Sequence, residues 1–383
     1  MDYAGFLLRR ERLHRSWSQE GLCRGICTVS YLSKIEQGKA EPSRQVLEQL
    51  LARMELPWYE ADNTMHSFIE DCYEALFSRD PLLYTLLESP VKERCRYSVC
   101  GPDLLLLEQC ADRRGGKPLE QELELCLNGR QLALQRGLQH RYEEAMRLYP
   151  RAFFSMTAGS ECYNRGEFAA ALEHLHAAYH AAAQEGCPRI MLHCKLIMGN
   201  CCSNRYDIDA MENHYRVARR LATALSDEET LTTIEYNTAA TQMELGRYEE
   251  ALAYFVALKQ PGQLDLHKLA ICCEKLGMVR SALDALDRAQ AQEEDNWLPQ
   301  DAVQQMLALV RMRLTLPDYL HDAAYGEILQ HCFERCRTEL PSGFATFHLP
   351  WMLEWYEANR QYKQALQLFR SFPDIPQIKR MGE

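Results

Sequence analysis

The 383-residue sequence predicts an all-α protein in which a small N-terminal helical domain is followed by an α-solenoid. Two observations carry this prediction. Apolar residues recur at helical spacing along most of the chain, and a pattern of about 40 residues returns several times after residue 140. A chain this long exceeds one compact core. We therefore divide it into residues 1–57, a helical region over 58–139, repeats over 140–372 and a C-terminal tail over 373–383.

The composition is that of an ordinary globular protein, with 47% AVILMFWYC and 25% charged residues. No apolar run approaches the roughly 20 residues of a membrane helix, and the first residues lack the order of a signal peptide. We therefore expect a cytoplasmic protein with no membrane partner. The 16 cysteines include no CxxC pair, so we expect packing rather than disulfides, a metal or another cofactor.

Charge is distributed unevenly along the chain. Residues 1–57 hold nine Lys/Arg and seven Asp/Glu, whereas the remaining residues hold 34 and 47. An acidic body is repelled by nucleic acid and a mildly basic head is not. If the protein binds DNA, the sequence assigns that contact to the head.

The head predicts four short helices. The first combines apolar Phe6, Leu7 and Leu13 with a polar side on which we place four arginines: Arg9, Arg10, Arg12 and Arg15. Ser18 can cap the second helix, and Gly25 ends it.

The third and fourth helices follow in "TVSYLSKIEQGKAEPS". Val29, Leu32 and Ile35 share one face of the third helix, opposite a polar face. Gly38 closes that helix, and Pro42 and Ser43 open the fourth.

"SQEGLC" and "YLSKIEQGKAEPS" resemble the Xre/Cro-type helix-turn-helix family. In that family the third helix enters the major groove of DNA. The resemblance implies base or phosphate contacts from Thr28, Tyr31, Lys34 and Gln37, and backbone contacts from Ser18, Gln19 and Lys39. Phosphate would repel Glu36, so we expect its carboxylate to pair with an arginine of the first helix, Arg10 being our candidate.

Internal repeats dominate the rest of the chain. "NRGEFAAALEHLHAAY" (164–179) is followed by "NRYDIDAMENHYRVAR" (204–219) and "ELGRYEEALAYFVALK" (244–259), and later segments share the pattern. Each copy has a position for a small residue, here called the repeat slot. The predicted slots are Ala171, Met211, Ala251, Ala282, Ala324 and Ala365, with a degenerate earlier copy at Ala145. Cysteines nine or ten residues before several slots are expected to allow close helix packing.

These units resemble tetratricopeptide repeats, although they are longer than the 34 residues usual in that family. The resemblance implies a right-handed α-solenoid whose first helices line a concave face. Between the head and the repeats no clean copy is visible, and residues 112–118 are the clearest loop.

Polar residues recur 14, 11 and 7 positions before the repeat slots, which places them on one helical face. Asparagine suits peptide recognition because its amide both donates and accepts hydrogen bonds. Tyrosine, lysine and arginine on or beside this face are suited to stacking or to binding a carboxylate. The predicted peptide-binding residues are Ser160, Asn164, Asn200, Asn204, Tyr236, Asn237, Lys268 and Arg313. For each asparagine, the alternative is a structural role at a turn or helix end.

The order of a helix-turn-helix head, a helical spacer and tetratricopeptide-like repeats resembles the RNPP family of bacterial peptide-pheromone receptors. That resemblance implies a homodimeric quorum-sensing regulator that binds operator DNA and a short signalling peptide. No enzyme motif is present, so we expect no enzyme. Two alternatives remain open at this point. The repeats could bind a protein partner, or the chain could be a response-regulator aspartyl-phosphate phosphatase.

Overall fold

The computed structural model describes residues 3–112, 121–292 and 298–372. These residues form 22 α-helices and two short 3-10 helices, and the described ranges contain no β-strand. The predicted tail over 373–383 and the loop after Asp112 lie outside them. The helices group into two compact units, Met1–Ala158 with His180–Ile190, and Gly159–Tyr179 with Met191–Glu383. The prediction of an all-α fold is confirmed.

Four helices form the head within the first unit. They are α1 (Tyr3–His14), α2 (Gln19–Cys23), α3 (Val29–Glu36) and α4 (Arg44–Arg53). Hydroxyl groups of Ser18, Thr28 and Ser43 accept hydrogen bonds from backbone N–H groups at the starts of α2, α3 and α4. The helix starts predicted at Ser18 and Ser43 are therefore confirmed, and Thr28 is a third cap that the sequence prediction did not include.

The first helix buries a different face from the one that the sequence predicts. Arg12, placed on the polar side, is only 8% exposed, whereas Leu13 is 51% exposed. The reason is tertiary, because Arg12 has a buried partner on α3 that periodicity does not reveal. Val29 is also exposed, since it is the first residue of α3 and lies one turn before the buried Leu32.

Six more helices complete this part of the chain. They are α5 (Asn63–Ser78), α6 (Leu82–Leu86), α7 (Val91–Arg96), α8 (Gly101–Ala111), α9 (Gly129–Leu138) and α10 (Tyr142–Leu148).

The head shares its core with this region. Leu123 packs into the head cluster, and the Tyr3 hydroxyl donates to the carbonyl oxygen of Arg96 at 3.1 Å. The head therefore packs against the region predicted as a spacer.

Helix α1 approaches α3 closely at Gly5. A Cβ atom at this position would collide with the backbone carbonyl oxygen of Ile35, an atom fixed within α3. Only glycine permits this approach.

We expect Gly5→Ala to destabilise the head by about 1–3 kcal/mol, since two helices must separate to admit the methyl group. Chemical denaturation followed by circular dichroism would measure the loss. Gly129→Ala is the matched control, because nothing lies within 4 Å of the position that its Cβ atom would take. Equal stability of the two variants would contradict the close-packing argument.

Twelve longer helices follow. They are α11 (Ala152–Asn164), α12 (Phe168–Glu185), α13 (Pro188–Asn204), α14 (Ile208–Ala224), α15 (Glu228–Glu244), α16 (Tyr248–Ala257), α17 (Gln263–Lys275), α18 (Val279–Gln290), α19 (Gln300–Thr315), α20 (Ala323–Thr338), α21 (Ser342–Ala358) and α22 (Tyr362–Arg370). In the second unit, consecutive helices from α14 onward pack against each other, as in a solenoid.

The repeat slot is the fourth residue of the second helix of each pair. Ala171, Met211, Ala251 and Ala282 hold this position and are buried. The predicted slot at Ala324 is wrong, because Ala324 is exposed and the fourth residue of α20 is Gly326. A Cβ atom at Gly326 would lie 2.8 Å from the Trp355 ring, so glycine is the small residue that this pair requires.

The cysteines before the slots are buried free thiols, as expected for packing. They are Cys162, Cys201, Cys202, Cys272 and Cys273. Among the helices within the described ranges, none combines the length and apolar character needed to cross a membrane.

Candidate functional site

The exposed face of α3 is the first candidate site. Thr28, Val29, Ser30, Lys34 and Gln37 are all exposed, and together they are called here the α3 face. The opposite side of the helix is anchored by Leu32 and Ile35, which are fully buried. A rigid helix with a polar, weakly basic outer face is what major-groove recognition requires.

Several predicted DNA contacts are hydrogen-bonded within the head. The Tyr31 hydroxyl donates to the carbonyl oxygen of Glu41 at 3.0 Å, and the Gln19 amide donates to Glu36 at 2.8 Å. Along α3, the Lys39 ammonium donates to the Gln37 amide oxygen at 2.8 Å, and the Gln37 amide donates to the Ser33 hydroxyl at 3.1 Å.

The remaining predicted DNA-binding residues differ in how many of their hydrogen-bonding groups are already used within the head. The Ser18 and Thr28 hydroxyl oxygens accept capping hydrogen bonds from Gly21 and Tyr31, so each keeps its O–H donor and one acceptor lone pair for DNA. Lys34 is exposed and makes no ion pair with any residue in the described part of the chain. Val29 and Ser30 are exposed on the same face but were not among the predicted DNA contacts. Their position directly after the cap residue Thr28 could have indicated them.

Glu36 lies beneath the α3 face, and its partner is Arg12 rather than the predicted Arg10. Two parallel hydrogen bonds of 2.6 and 2.7 Å join the Arg12 guanidinium to the Glu36 carboxylate. These bonds raise the pKa of Arg12. Arg10 instead pairs with Glu11 at the surface. The buried ion pair fixes α3 against α1.

A cavity of about 160 Å³ in the second unit is the second candidate site, called here the repeat cavity. First helices of successive pairs supply most of its wall. Its lining comprises Tyr163, Asn200, Ser203, Asn204, Tyr215, Tyr236, Asn237, Ala240, Thr241, Glu244, Leu264, His267, Lys268, Met306, Pro341, Gly343, Phe344, Phe347 and His348. A cavity of this volume admits one side chain or terminal group.

Two asparagines at the centre of the wall are coupled. The Asn200 side-chain oxygen accepts hydrogen bonds from the Tyr215 hydroxyl at 2.7 Å and from the Asn237 amide at 3.0 Å. The Asn200 NH₂ group, which interacts with the Tyr163 hydroxyl, and the Asn237 side-chain oxygen take no part in these two bonds. One donor and one acceptor are thereby presented side by side.

Neighbouring groups hold this pair in place. The Asn204 amide donates to the Asn200 backbone carbonyl at 2.8 Å, and Thr241 donates to the Asn237 carbonyl at 2.8 Å. Burial raises the pKa of the Tyr215 hydroxyl well above its usual value, so that hydroxyl stays protonated. The arrangement at the cavity wall is thus uncharged and pre-organised.

The structure brings together five of the eight residues predicted to bind peptide: Asn200, Asn204, Tyr236, Asn237 and Lys268. Ser160 lies within hydrogen-bonding distance of the His193 ring, at 3.0 Å, and is not part of the lining. Asn164 borders a separate cavity beside Phe168 and Arg337.

Arg313 also lies outside the repeat cavity. Its guanidinium is buried and hydrogen-bonded to Glu274 at 2.8 Å and Glu354 at 3.1 Å. The prediction counted 11 positions back from Ala324, whereas the true slot is Gly326. An error of two residues rotates a side chain by about 200° around the helix, which explains the wrong face.

Several lining residues were missed by sequence reasoning. Tyr215 on α14 is one of them, and its hydroxyl holds Asn200. Phe347 and His348 on α21 follow none of the three offsets, so no sequence signal marked them. Helix α21 begins against α11, where the Ser342 hydroxyl donates to the Tyr163 carbonyl oxygen at 3.0 Å.

Comparison with known proteins identifies the domain type of the head by sequence and the fold of most of the chain by structure. Residues 4–58 match the family model of a helix-turn-helix domain. No curated protein matches the sequence. Among the described residues, no group of three or more His, Cys, Asp or Glu side chains is arranged to hold a metal ion.

The fold is similar to that of solved proteins at low sequence identity. A Rap protein in complex with competence and sporulation factor superposes with a TM-score of 0.54 at 14% identity, covering 82% of this chain and 98% of that one. PlcR from Bacillus thuringiensis, in complex with the peptide PapR7 and DNA, gives a TM-score of 0.30 at 13% identity, covering 61% of this chain and 99% of that one. The family model confirms the helix-turn-helix head, and the similarity to the Rap protein confirms the predicted helical-repeat fold.

Proposed function

We propose that this chain is a cytoplasmic transcription regulator that binds operator DNA through the α3 face and senses a short signalling peptide in the repeat cavity. We further propose that it acts as a homodimer on a pseudo-palindromic operator, in quorum sensing. The single observation that carries the sensing half is the coupled pair of Asn200 and Asn237.

The DNA-binding half rests on the head alone. The α3 face is mostly polar and includes Lys34, which has no ion pair with any described residue, and the head has a net positive formal charge within an acidic chain. Phosphate contacts need such unpaired cations, while base edges are read by short polar and apolar side chains near a helix start. Val29 and Ser30 occupy that position.

We expect Lys34→Ala to weaken DNA binding about equally on all sequences and to reduce the slope of log K against log salt by about one unit. Fluorescence anisotropy with the DNA upstream of the gene, across a salt series, would measure both. Lys259→Ala is the control because Lys259 is exposed in the other unit. An unchanged slope for Lys34→Ala would remove this residue from the interface.

The peptide-sensing half follows from the hydrogen-bonding capacity of the asparagine pair. A peptide unit presents one carbonyl acceptor and one N–H donor, which the Asn200 NH₂ group and the Asn237 oxygen complement. Pre-organisation by Tyr215, Asn204 and Thr241 lowers the entropic cost of holding the ligand. Because a 160 Å³ cavity is smaller than a peptide, we expect only part of the ligand to enter it.

A single experiment tests both halves. Purified protein is titrated onto the DNA upstream of its own gene, with and without synthetic peptides encoded by short neighbouring reading frames. Salt-sensitive, sequence-specific binding that shifts with one peptide is the expected result. Specific binding that no peptide alters would contradict peptide sensing and favour a protein partner for the repeats. Phosphate release from a phosphorylated receiver domain would instead indicate a phosphatase.

A further inference from the structure

The end of the repeat cavity between α15, α17 and α21 has a different chemistry from the asparagine pair. Glu244, His267, Lys268, Phe347 and His348 meet there. Among the lining residues that the structure describes, Glu244 and Lys268 are the only carboxylate and the only ammonium group. We call this group of five residues the α17 pocket.

Lys268 is buried without a charged partner. The side chain is 8% exposed, and its ammonium nitrogen lies 2.8 Å from the centre of the Phe347 ring. It forms no ion pair with any described residue, and Glu244 influences it only through longer-range attraction. An aromatic face offsets part of the cost of burying a cation, but a buried ammonium group is strongly favoured by a carboxylate.

Two histidines next to Lys268 also have unused hydrogen-bonding groups. The His267 side chain is 1% exposed, and among the described residues its ring has no hydrogen-bond partner apart from the backbone of Met306. In His348, Nδ1 lies 2.8 Å from the Phe344 carbonyl oxygen and donates to it, and Nε2 has no hydrogen-bond partner among the described residues. Buried polar groups are normally satisfied, so unpartnered ones beside a cavity are available to hydrogen-bond a ligand group.

We propose that the α17 pocket binds a carboxylate of the ligand, with Lys268 as its counter-ion and His267 as a hydrogen-bond donor. This inference rests on the proposed peptide-sensing function and specifies which chemical group the peptide must carry. That group is either the C-terminal carboxylate or the side chain of an aspartate or glutamate.

The charge state of the pocket is compatible with an incoming anion. Burial lowers the pKa of Lys268 to about 7, opposed by attraction to Glu244, and a bound carboxylate would restore the full positive charge. Burial also raises the pKa of Glu244, opposed by attraction to Lys268, and so favours the uncharged form of this carboxyl group. Its repulsion of a ligand carboxylate is reduced accordingly.

Four synthetic heptapeptide libraries test the proposal. They have either a free or an amidated C terminus, each with or without aspartate and glutamate at the randomised positions. The full-length protein is incubated with each library, and bound peptides are quantified by mass spectrometry. We expect roughly tenfold greater retention from a library that carries the recognised carboxylate than from the library with none. Two libraries carry only one kind of carboxylate: the library with a free C terminus but no aspartate or glutamate, and the amidated library with aspartate and glutamate. Comparing their retention distinguishes a terminal carboxylate from a side-chain carboxylate.

Lys268→Met and Lys363→Met complete the design. Methionine is well tolerated beside Phe347, whereas Lys363 is exposed on α22 and controls for the change in net charge. Only Lys268→Met should lose the carboxylate preference. Equal retention from all four libraries, or a preference that survives Lys268→Met, would overturn the carboxylate site while leaving peptide binding intact. Retention of no peptide from any library would overturn the peptide-sensing function, and the carboxylate site with it.

Discussion

Arg12→Met is expected to destabilise the N-terminal head by about 3–5 kcal/mol and to abolish DNA binding at physiological temperature. The Arg12 and Glu36 side chains are only 10% and 3% exposed, so the variant leaves a buried carboxylate without its counter-ion. The Trp17 carbonyl oxygen, which accepts a hydrogen bond from Arg12 at 2.9 Å, also loses its partner. The α3 face then has no fixed orientation.

Denaturation followed by tryptophan fluorescence and circular dichroism would measure this loss. Arg44→Met is the matched control because Arg44 pairs with Glu48 on the surface, where little change is expected. In the double variant Arg12→Met/Glu36→Met both charges are absent, and we expect most of the stability to return. A single Arg12→Met variant as stable as Arg44→Met would show that the buried pair does not hold the head together.

Asn200→Ala is expected to weaken peptide binding by about 10- to 100-fold, since it removes the ligand donor and releases the Asn237 amide from its partner. It also leaves the Tyr215 hydroxyl, which is 1% exposed, without its acceptor. Isothermal titration with peptides retained from the heptapeptide libraries would measure the affinity. DNA binding without peptide should be unchanged, because Asn200 belongs to the other unit.

Tyr215→Phe separates the ligand contact from its structural support. This variant removes the hydroxyl that holds Asn200 but keeps both asparagine amides, so we expect a smaller loss of peptide affinity than in Asn200→Ala. If Tyr215→Phe and Asn200→Ala lose affinity equally, Asn200 acts through packing and not by contacting the ligand. If neither variant binds less tightly, peptide recognition does not use this wall.

The sequence by itself determined the helical class, the order of head and repeats, and most of the repeat slots. It also proposed eight peptide-binding residues, of which Asn200, Asn204, Tyr236, Asn237 and Lys268 line one cavity. Local information is sufficient for these features. Helical periodicity reports which residues share a face, and a recurring small residue reports where two consecutive helices meet.

Only the tertiary structure decided which side chains meet across helices that are distant in sequence. It selected Arg12 over Arg10 as the partner of Glu36, and it brought Phe347 and His348 to the cavity beside Lys268. It also moved Arg313 away from that cavity, into a buried ion cluster. The physical reason is that packing sets the rotation of one helix against another, and a change of two residues in that register sends a side chain to the opposite face.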